Sequence, residues 1–171
     1  MESISDESLR KGHRTAVVIG WLMILSVLVY AGVAEYLTRS NAPFAGFSPL
    51  PVDVFNKFRL ILLGVGLLDF ACIPFLRNRV LSAQNRPGVS PVGRPLTPEG
   101  KLVTISIIIF ALCESIVIYG FVLFLVNGAR QEFYLFFFLS LIAFAIHFPR
   151  YERWQEWAQK MRDAVGQDNL G

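Results

Sequence analysis

The chain alternates between long apolar runs and short charged segments. Residues 15–34 contain no charged residue, and residues 60–76 contain only one, Asp69. A third run carries Glu114 as its only charge, and a fourth occupies residues 133–148. About 20 apolar residues in a helix are needed to cross the roughly 30 Å hydrocarbon core of a bilayer. The pattern therefore predicts an all-α fold, a four-helix transmembrane bundle.

Turn and capping residues between the runs set the helix boundaries within a single membrane domain, 1–171. Prolines break the chain after the first two runs, and Thr97-Pro98-Glu99 is typical of a helix start. Asn127-Gly128 indicates a turn before the fourth helix. The fourth run is short, about 24 Å long as a helix, so it spans only if its flanking side chains reach the interface. The predicted helices cover 15–38, 57–76, 98–126 and 132–148, with a cytoplasmic linker at 77–97 and an amphipathic tail helix at 150–165.

The tail after Pro149 changes from uniformly apolar to amphipathic. Trp154 and Trp157 fall on one side of the predicted helix, and Arg150 and Arg153 lie largely on others. This distribution favours a helix that lies in the headgroup plane, with these four residues as a membrane-surface anchor. The alternative is a helix that docks on a protein partner.

The distribution of basic residues predicts the orientation. Twelve of the 16 lysines and arginines lie in the N-terminal segment, the linker and the tail. The other four are Arg39, Lys57, Arg59 and Arg130. Basic segments stay on the cytoplasmic side, so we expect both termini in the cytoplasm and the helices in the plasma (inner) membrane.

Composition narrows the function classes. The chain is 54% hydrophobic and 17% charged, against about 25% charged in soluble domains. Cys72 and Cys113 both lie in apolar runs, which indicates packing residues and not a disulfide or zinc site. No nucleophile with its base, phosphate-binding loop or metal-ligand spacing is present, so we expect no enzyme activity, cofactor or metal. The basic linker lacks the interleaved aromatic residues of a nucleic-acid binder.

Three charged residues cluster at the predicted external interface. Glu35 lies near the end of the first helix with Arg39 one turn further, and Arg59 opens the second helix on the same side. We predict that these residues form an interfacial charge network.

Asp69 and Glu114 are predicted near the bilayer midplane. Asp69 is nine residues past Leu60, about 14 Å at helical rise, and Glu114 is 12 residues past Leu102, about 18 Å. Two carboxylates at one depth cannot both be ionised cheaply, and a shared proton or bound cation would relieve the repulsion. The alternatives are two separately protonated acids, each hydrogen-bonded to a backbone group or hydroxyl, and pairing with another subunit.

Residues 111–126 resemble the carboxylate-bearing helix of the rotary ATPase c subunit, the proteolipid. That helix has an acid in a small and apolar run, followed five residues later by Tyr-Gly or Tyr-Ala, and Glu114, Tyr119 and Gly120 match it. Gln84-Asn85-Arg86-Pro87 is loosely similar to the polar loop of that family. The resemblance implies that Glu114 carries a proton or cation.

Two functional hypotheses follow. The first is a small membrane protein that binds a proton or cation at Glu114, with Asp69 as a second candidate. The second is a non-enzymatic accessory, assembly or scaffold subunit. The expected partners are the lipid bilayer and a homo-oligomer or larger membrane complex. We also expect the second and third helices to pack most closely, because small residues flank both acids.

Overall fold

The protein is described by a computed structural model that covers residues 6–82, 98–152, 154–156 and 159. These residues form helices and loops with no β-strand among them, which confirms the all-helical prediction. The helices are α1 (Asp6–Ser40), α2 (Val52–Ser82), α3 (Pro98–Asn127) and α4 (Arg130–His147). Residues 83–97 of the predicted linker and most of the predicted tail helix lie outside the described residues.

Among the described residues, three helices are long and apolar enough to cross a membrane: Asp6–Ser40, Val52–Phe75 and Leu102–Asn127. Large apolar side chains on their outer faces are exposed, for example Trp21 on α1 and Leu68 on α2. A surface of this kind is stable against lipid and unfavourable in water. The chain is therefore a membrane protein.

The helices extend further than the apolar runs that predicted them. The α1 helix begins at Asp6, nine residues before the first apolar run, and acids at Asp6 and Glu7 favour a helix start. The α2 helix continues through Pro74 to Ser82 and so includes the first six residues of the predicted linker. The segment after Pro74 contains arginines, which favour a helix although they end the apolar run.

The α3 helix is the centre of the bundle and packs against each of the other three helices. Its largest interface is with α4, followed by α1 and then α2, so the prediction that α2 and α3 pack most closely is wrong. One reason is Gly120, where an added Cβ would lie 2.6 Å from the Cβ of Phe136. The missing side chain lets α4 approach and bury its phenylalanines against α3.

The loop between α1 and α2 covers the C-terminal end of α3. The last carbonyls of a helix have no partner within the helix, and here the Phe47 N–H donates to the Leu125 carbonyl at 2.7 Å. The Leu50 N–H donates to Asn127 Oδ1 at 2.6 Å. Gly46 has a positive φ of 90° and lies so close to Val126 that a Cβ would clash with its carbonyl. We call this end of the bundle the loop end.

The opposite end brings together the starts of α1 and α3 and the segment after α4. A second small core contains Leu9, Ala16, Leu102 and Trp154. Because both termini of the described chain meet here, the four helices run alternately up and down. We call this the tail end.

Candidate functional site

A layer of polar groups crosses the apolar bundle at residues 113–115 of α3. Successive side chains of an α-helix point about 100° apart, so Glu114 and Ser115 face different helices, and the backbone carbonyl of Cys113 binds a third. The polar layer consists of three sets of hydrogen bonds: Ser140 with the Cys113 carbonyl, Ser26 with Glu114, and Asp69 with Ser115 and Tyr119. At a single level, α3 is thus tied to α4, α1 and α2.

Glu114 points from α3 towards α1, where the Ser26 hydroxyl donates to its Oε1. The same hydroxyl lies 2.7 Å from the Met23 carbonyl. A serine hydroxyl has one proton to donate and can accept as well. An ionised Glu114 can therefore accept from Ser26, and a protonated Glu114 can donate to the Ser26 Oγ while Ser26 donates to Met23. This pair satisfies the half-buried carboxyl group in both protonation states.

Asp69 lies on α2 and is held from α3 by two hydroxyl groups. Tyr119 OH donates to Asp69 Oδ2 at 2.8 Å. Ser115 Oγ lies 2.8 Å from Asp69 Oδ2 and 2.8 Å from the Leu112 carbonyl oxygen, so its one proton can be donated to either. Residues four apart share one helix face, so both donors approach from the same side. The α2 helix has its main packing interface with α3, and these hydrogen bonds are its polar attachment to that helix.

The two carboxyl groups do not form a common site in the described structure. No hydrogen bond joins Asp69 to Glu114 there, because each binds the hydroxyl groups of other residues. The described residues also contain no group of three or more His, Cys, Asp or Glu side chains that could hold a metal ion. The described contacts of Glu114 thus offer one carboxyl and one hydroxyl group, and a hard cation such as Ca²⁺ takes roughly six to eight oxygens.

Four hydroxyl groups complete the polar layer, those of Ser26, Ser115, Tyr119 and Ser140. The sequence pattern did not identify them as the hydrogen-bond partners of the two acids and of the Cys113 carbonyl. Ser26 is the single serine of residues 15–34. A serine in a membrane helix indicates a hydrogen bond to a neighbouring helix. The identity of its partner depends on the rotation of the helix about its axis, which the sequence pattern does not give.

At the loop end, Glu35 is the centre of an ion-pair cluster. Its Oε1 accepts from Arg130 at 2.6 Å and from the Tyr134 hydroxyl, and its Oε2 lies 3.7 Å from Arg39 Nε. Hydrogen bonds to Tyr134 and Glu35 raise the pKa of Arg130 above its usual value. The cluster joins α1 to the start of α4.

Arg59 belongs to a different pair at the same end. Its guanidinium lies 3.1 Å from Oε1 of Glu132 on α4. Of the three residues predicted to form one network, the structure joins Glu35 to Arg39 and gives Arg59 a separate partner. The Glu35–Arg130 pair attaches α1 to α4, and the Arg59–Glu132 pair attaches α2 to α4.

At the tail end, Trp154 is 5% exposed and packs in the small core with Leu9 and Leu102. It lies inside the protein and not on a surface where it would meet headgroups. Arg150 is exposed. Arg153 and Trp157, the other two predicted anchor residues, lie outside the described residues.

His13 connects α1 to the end of α4 at this level. Its Nε2 lies 3.1 Å from the Pro149 carbonyl oxygen, within hydrogen-bond distance. Its ring also packs edge-on against Tyr151 and Trp154, with centroids 5.2 and 5.4 Å away. The segment after α4 is thereby fixed against the start of α1.

Comparisons with protein families, with curated proteins and with solved structures found no match to this chain. The resemblance of residues 111–126 to the c subunit stays an expectation from sequence. The polar layer is therefore the main observation from which a function can be argued.

Proposed function

We propose that this chain is an integral membrane protein of the plasma membrane that binds and releases a proton at Glu114. In this proposal α4 is a fourth span, and both termini lie in the cytoplasm. The alternating helix directions support this topology, since the starts of α1 and α3 meet the segment after α4 at the tail end. The excess of basic residues in the segments at that end supports the orientation.

The Ser26–Glu114 contact is the observation that carries the proposal. A site that takes up and releases a proton must accommodate the carboxyl group in both states. Ser26 does so because its hydroxyl can reverse its role between Glu114 and the Met23 carbonyl. A proton needs no further ligand, and the small set of oxygens at Glu114 favours a proton over a metal cation.

Glu114 is also accessible from the membrane phase. Ala111 and Ile118, three residues before it and four after it on α3, are both exposed. Because residues three and four apart share a helix face, Glu114 lies close to an open strip of α3. A hydrophobic reagent dissolved in lipid can approach the carboxyl group along this strip.

Labelling with a hydrophobic carbodiimide tests the proposal, because the reagent modifies protonated carboxyl groups in an apolar phase. The chain is reconstituted in liposomes, labelled over a range of pH, and the modified residue is located by peptide mass spectrometry. We expect labelling at Glu114 that decreases as pH rises and is absent in Glu114→Gln. The matched control Asp69→Asn should retain it.

A second arm distinguishes the ligand. If Glu114 binds a proton alone, Na⁺ at high concentration leaves the labelling rate unchanged at fixed pH. If Na⁺ instead slowed the labelling of Glu114, the ligand would be a metal cation and not a proton. Absence of labelling at Glu114 at every pH would contradict the proposal and favour the accessory-subunit hypothesis, which co-purification with a larger complex would support.

A further inference from the structure

The two ends of the bundle differ in how their basic side chains are paired. At the loop end, Arg39, Arg59 and Arg130 all form ion pairs with glutamates, and only Lys57 does not. At the tail end, the basic residues with described side chains are Arg10, Lys11, Arg14 and Arg150. Within the described part of the chain, none of these four has a carboxylate at ion-pair distance.

Two of these cations, Arg14 and Arg150, lie next to residues that are in contact with each other. Arg14 directly follows His13 on α1, and Arg150 directly follows Pro149 after α4. The 3.1 Å contact between His13 Nε2 and the Pro149 oxygen therefore places the two arginines on neighbouring backbone segments. The buried Trp154 holds the chain after Arg150 against α1 and α3.

Neighbouring aromatic residues indicate the depth of this pair. Trp21 is 60% exposed, and its ring packs on Phe148 with centroids 5.7 Å apart. Exposed tryptophans of membrane proteins are enriched at the interface between hydrocarbon and headgroups. Arg14 is seven residues, about 10 Å, further towards the tail end, and Arg150 is two residues past Phe148. Both arginines are thus positioned at headgroup level.

Among the residues with described side chains, the acidic residues of this end lie further from the hydrocarbon. Asp6 and Glu7 precede Arg14 by about two turns of α1, and Glu152 follows Arg150 along the chain. The layer next to the membrane is therefore positive, although the end as a whole carries both signs. Cations that have no carboxylate partner among the described residues can bind an anion from the membrane surface.

We propose that Arg14 and Arg150 form a binding site for the phosphate group of an anionic lipid. Arginine suits this role because its planar guanidinium donates two parallel hydrogen bonds to phosphate oxygens. The site does not depend on Glu114 or on proton binding. It would attach the first turns of α1 and the segment after α4 to the membrane surface through one lipid headgroup.

Lipid exchange into nanodiscs tests this site. The full chain is placed in nanodiscs that contain phosphatidylcholine with a minor fraction of phosphatidylglycerol, and the lipid retained on the protein is measured by native mass spectrometry. We expect Arg14→Gln with Arg150→Gln to lower the preference for phosphatidylglycerol by about fivefold for each cation removed. The matched control, Arg39→Gln with Lys57→Gln, removes two charges at the loop end and should change it less than twofold.

Three outcomes would overturn the proposal. These are an equal loss in both double variants, no loss in either, and full replacement of the lipid effect by inorganic phosphate in pure phosphatidylcholine nanodiscs. The last result would assign the site to a free phosphate ion. Thermal unfolding of each variant in detergent establishes that the comparison is made between folded proteins. Single Arg14→Lys and Arg150→Lys variants keep the charge but not the two parallel hydrogen bonds, so each should lose part of the preference, but less than the corresponding glutamine variant.

Discussion

Glu114 and Asp69 lie in one polar layer, yet their surroundings differ. Among the described residues, Glu114 is hydrogen-bonded to one hydroxyl group, that of Ser26, which has the Met23 carbonyl as a second acceptor. Asp69 is hydrogen-bonded to a similar serine, Ser115, which has the Leu112 carbonyl as a second acceptor, and also to the Tyr119 hydroxyl. Tyr119 can still donate to Asp69 when Ser115 turns to its backbone acceptor, whereas the described contacts of Glu114 include no second donor.

Depth in the membrane alone makes both acids candidates for proton binding. Their different hydrogen-bond partners instead indicate a structural role for Asp69 and proton binding for Glu114. Asp69 attaches α2 to the central helix, the one helix with which α2 has an extensive interface. Glu114 lies between α3 and α1, which already share a larger interface. We therefore expect changes at Asp69 to act mainly on stability and changes at Glu114 mainly on proton binding.

The largest effect on stability is expected from Asp69→Leu. This variant leaves the hydroxyl of the half-buried Tyr119 without its acceptor, and an unsatisfied polar group shielded from water costs about 1–3 kcal/mol. The free energy of unfolding in mixed micelles should fall by about that amount. Asp69→Asn keeps an acceptor oxygen and should lose less than half as much. Equal losses in the two variants would mean that the hydrogen bonds do not attach α2.

A smaller effect is expected from Tyr119→Phe, which removes one of the two donors. Hydrogen bonds between membrane helices contribute on average about 0.6 kcal/mol, and the free energy of unfolding should fall by roughly that much. Ser115→Ala is the companion variant and should behave similarly. In a double-mutant cycle with Asp69→Leu, which removes the acceptor, a coupling energy of zero for Tyr119 would contradict the contact.

The smallest effect on stability, below about 0.6 kcal/mol, is expected from Ser26→Ala. Its consequence appears in the carbodiimide assay instead. Without the Ser26 donor the ionised form of Glu114 loses its hydrogen bond, so labelling should persist to higher pH than in the unchanged protein. Ser140→Ala, which alters the α4 side of the layer, should leave the labelling profile unchanged. A shift of the same size in both variants would remove the special role of Ser26.

The apolar pattern predicted the helices well because burial in lipid demands uninterrupted hydrophobicity. The apolar pattern did not predict that α1 begins at Asp6 or that α2 reaches Ser82. Hydropathy marks the part of a helix that lies in the hydrocarbon, and backbone hydrogen bonding can continue beyond it. The count of residues along each helix also assigned Asp69 and Glu114 to similar depths, and the structure has both in one layer.

The partners of the two acids could not be predicted for a different reason. A helix that is apolar on nearly every side, as α3 is, has no polar face to reveal its rotation. Whether Glu114 faces α1 or α2 depends on packing, and Gly120 against Phe136 fixes that packing by letting α4 approach one side. The sequence pattern therefore identified the two carboxyl groups but not that they bind separate hydroxyl groups.

The central claim is that Glu114, and not Asp69, exchanges a proton. Infrared difference spectra of the reconstituted protein between low and high pH measure this directly, because a protonated carboxyl group has a C=O band that the ionised form lacks. We predict a pH-dependent band that disappears in Glu114→Gln and persists in Asp69→Asn. A band that survives in Glu114→Gln, or that is lost in Asp69→Asn, would contradict the claim.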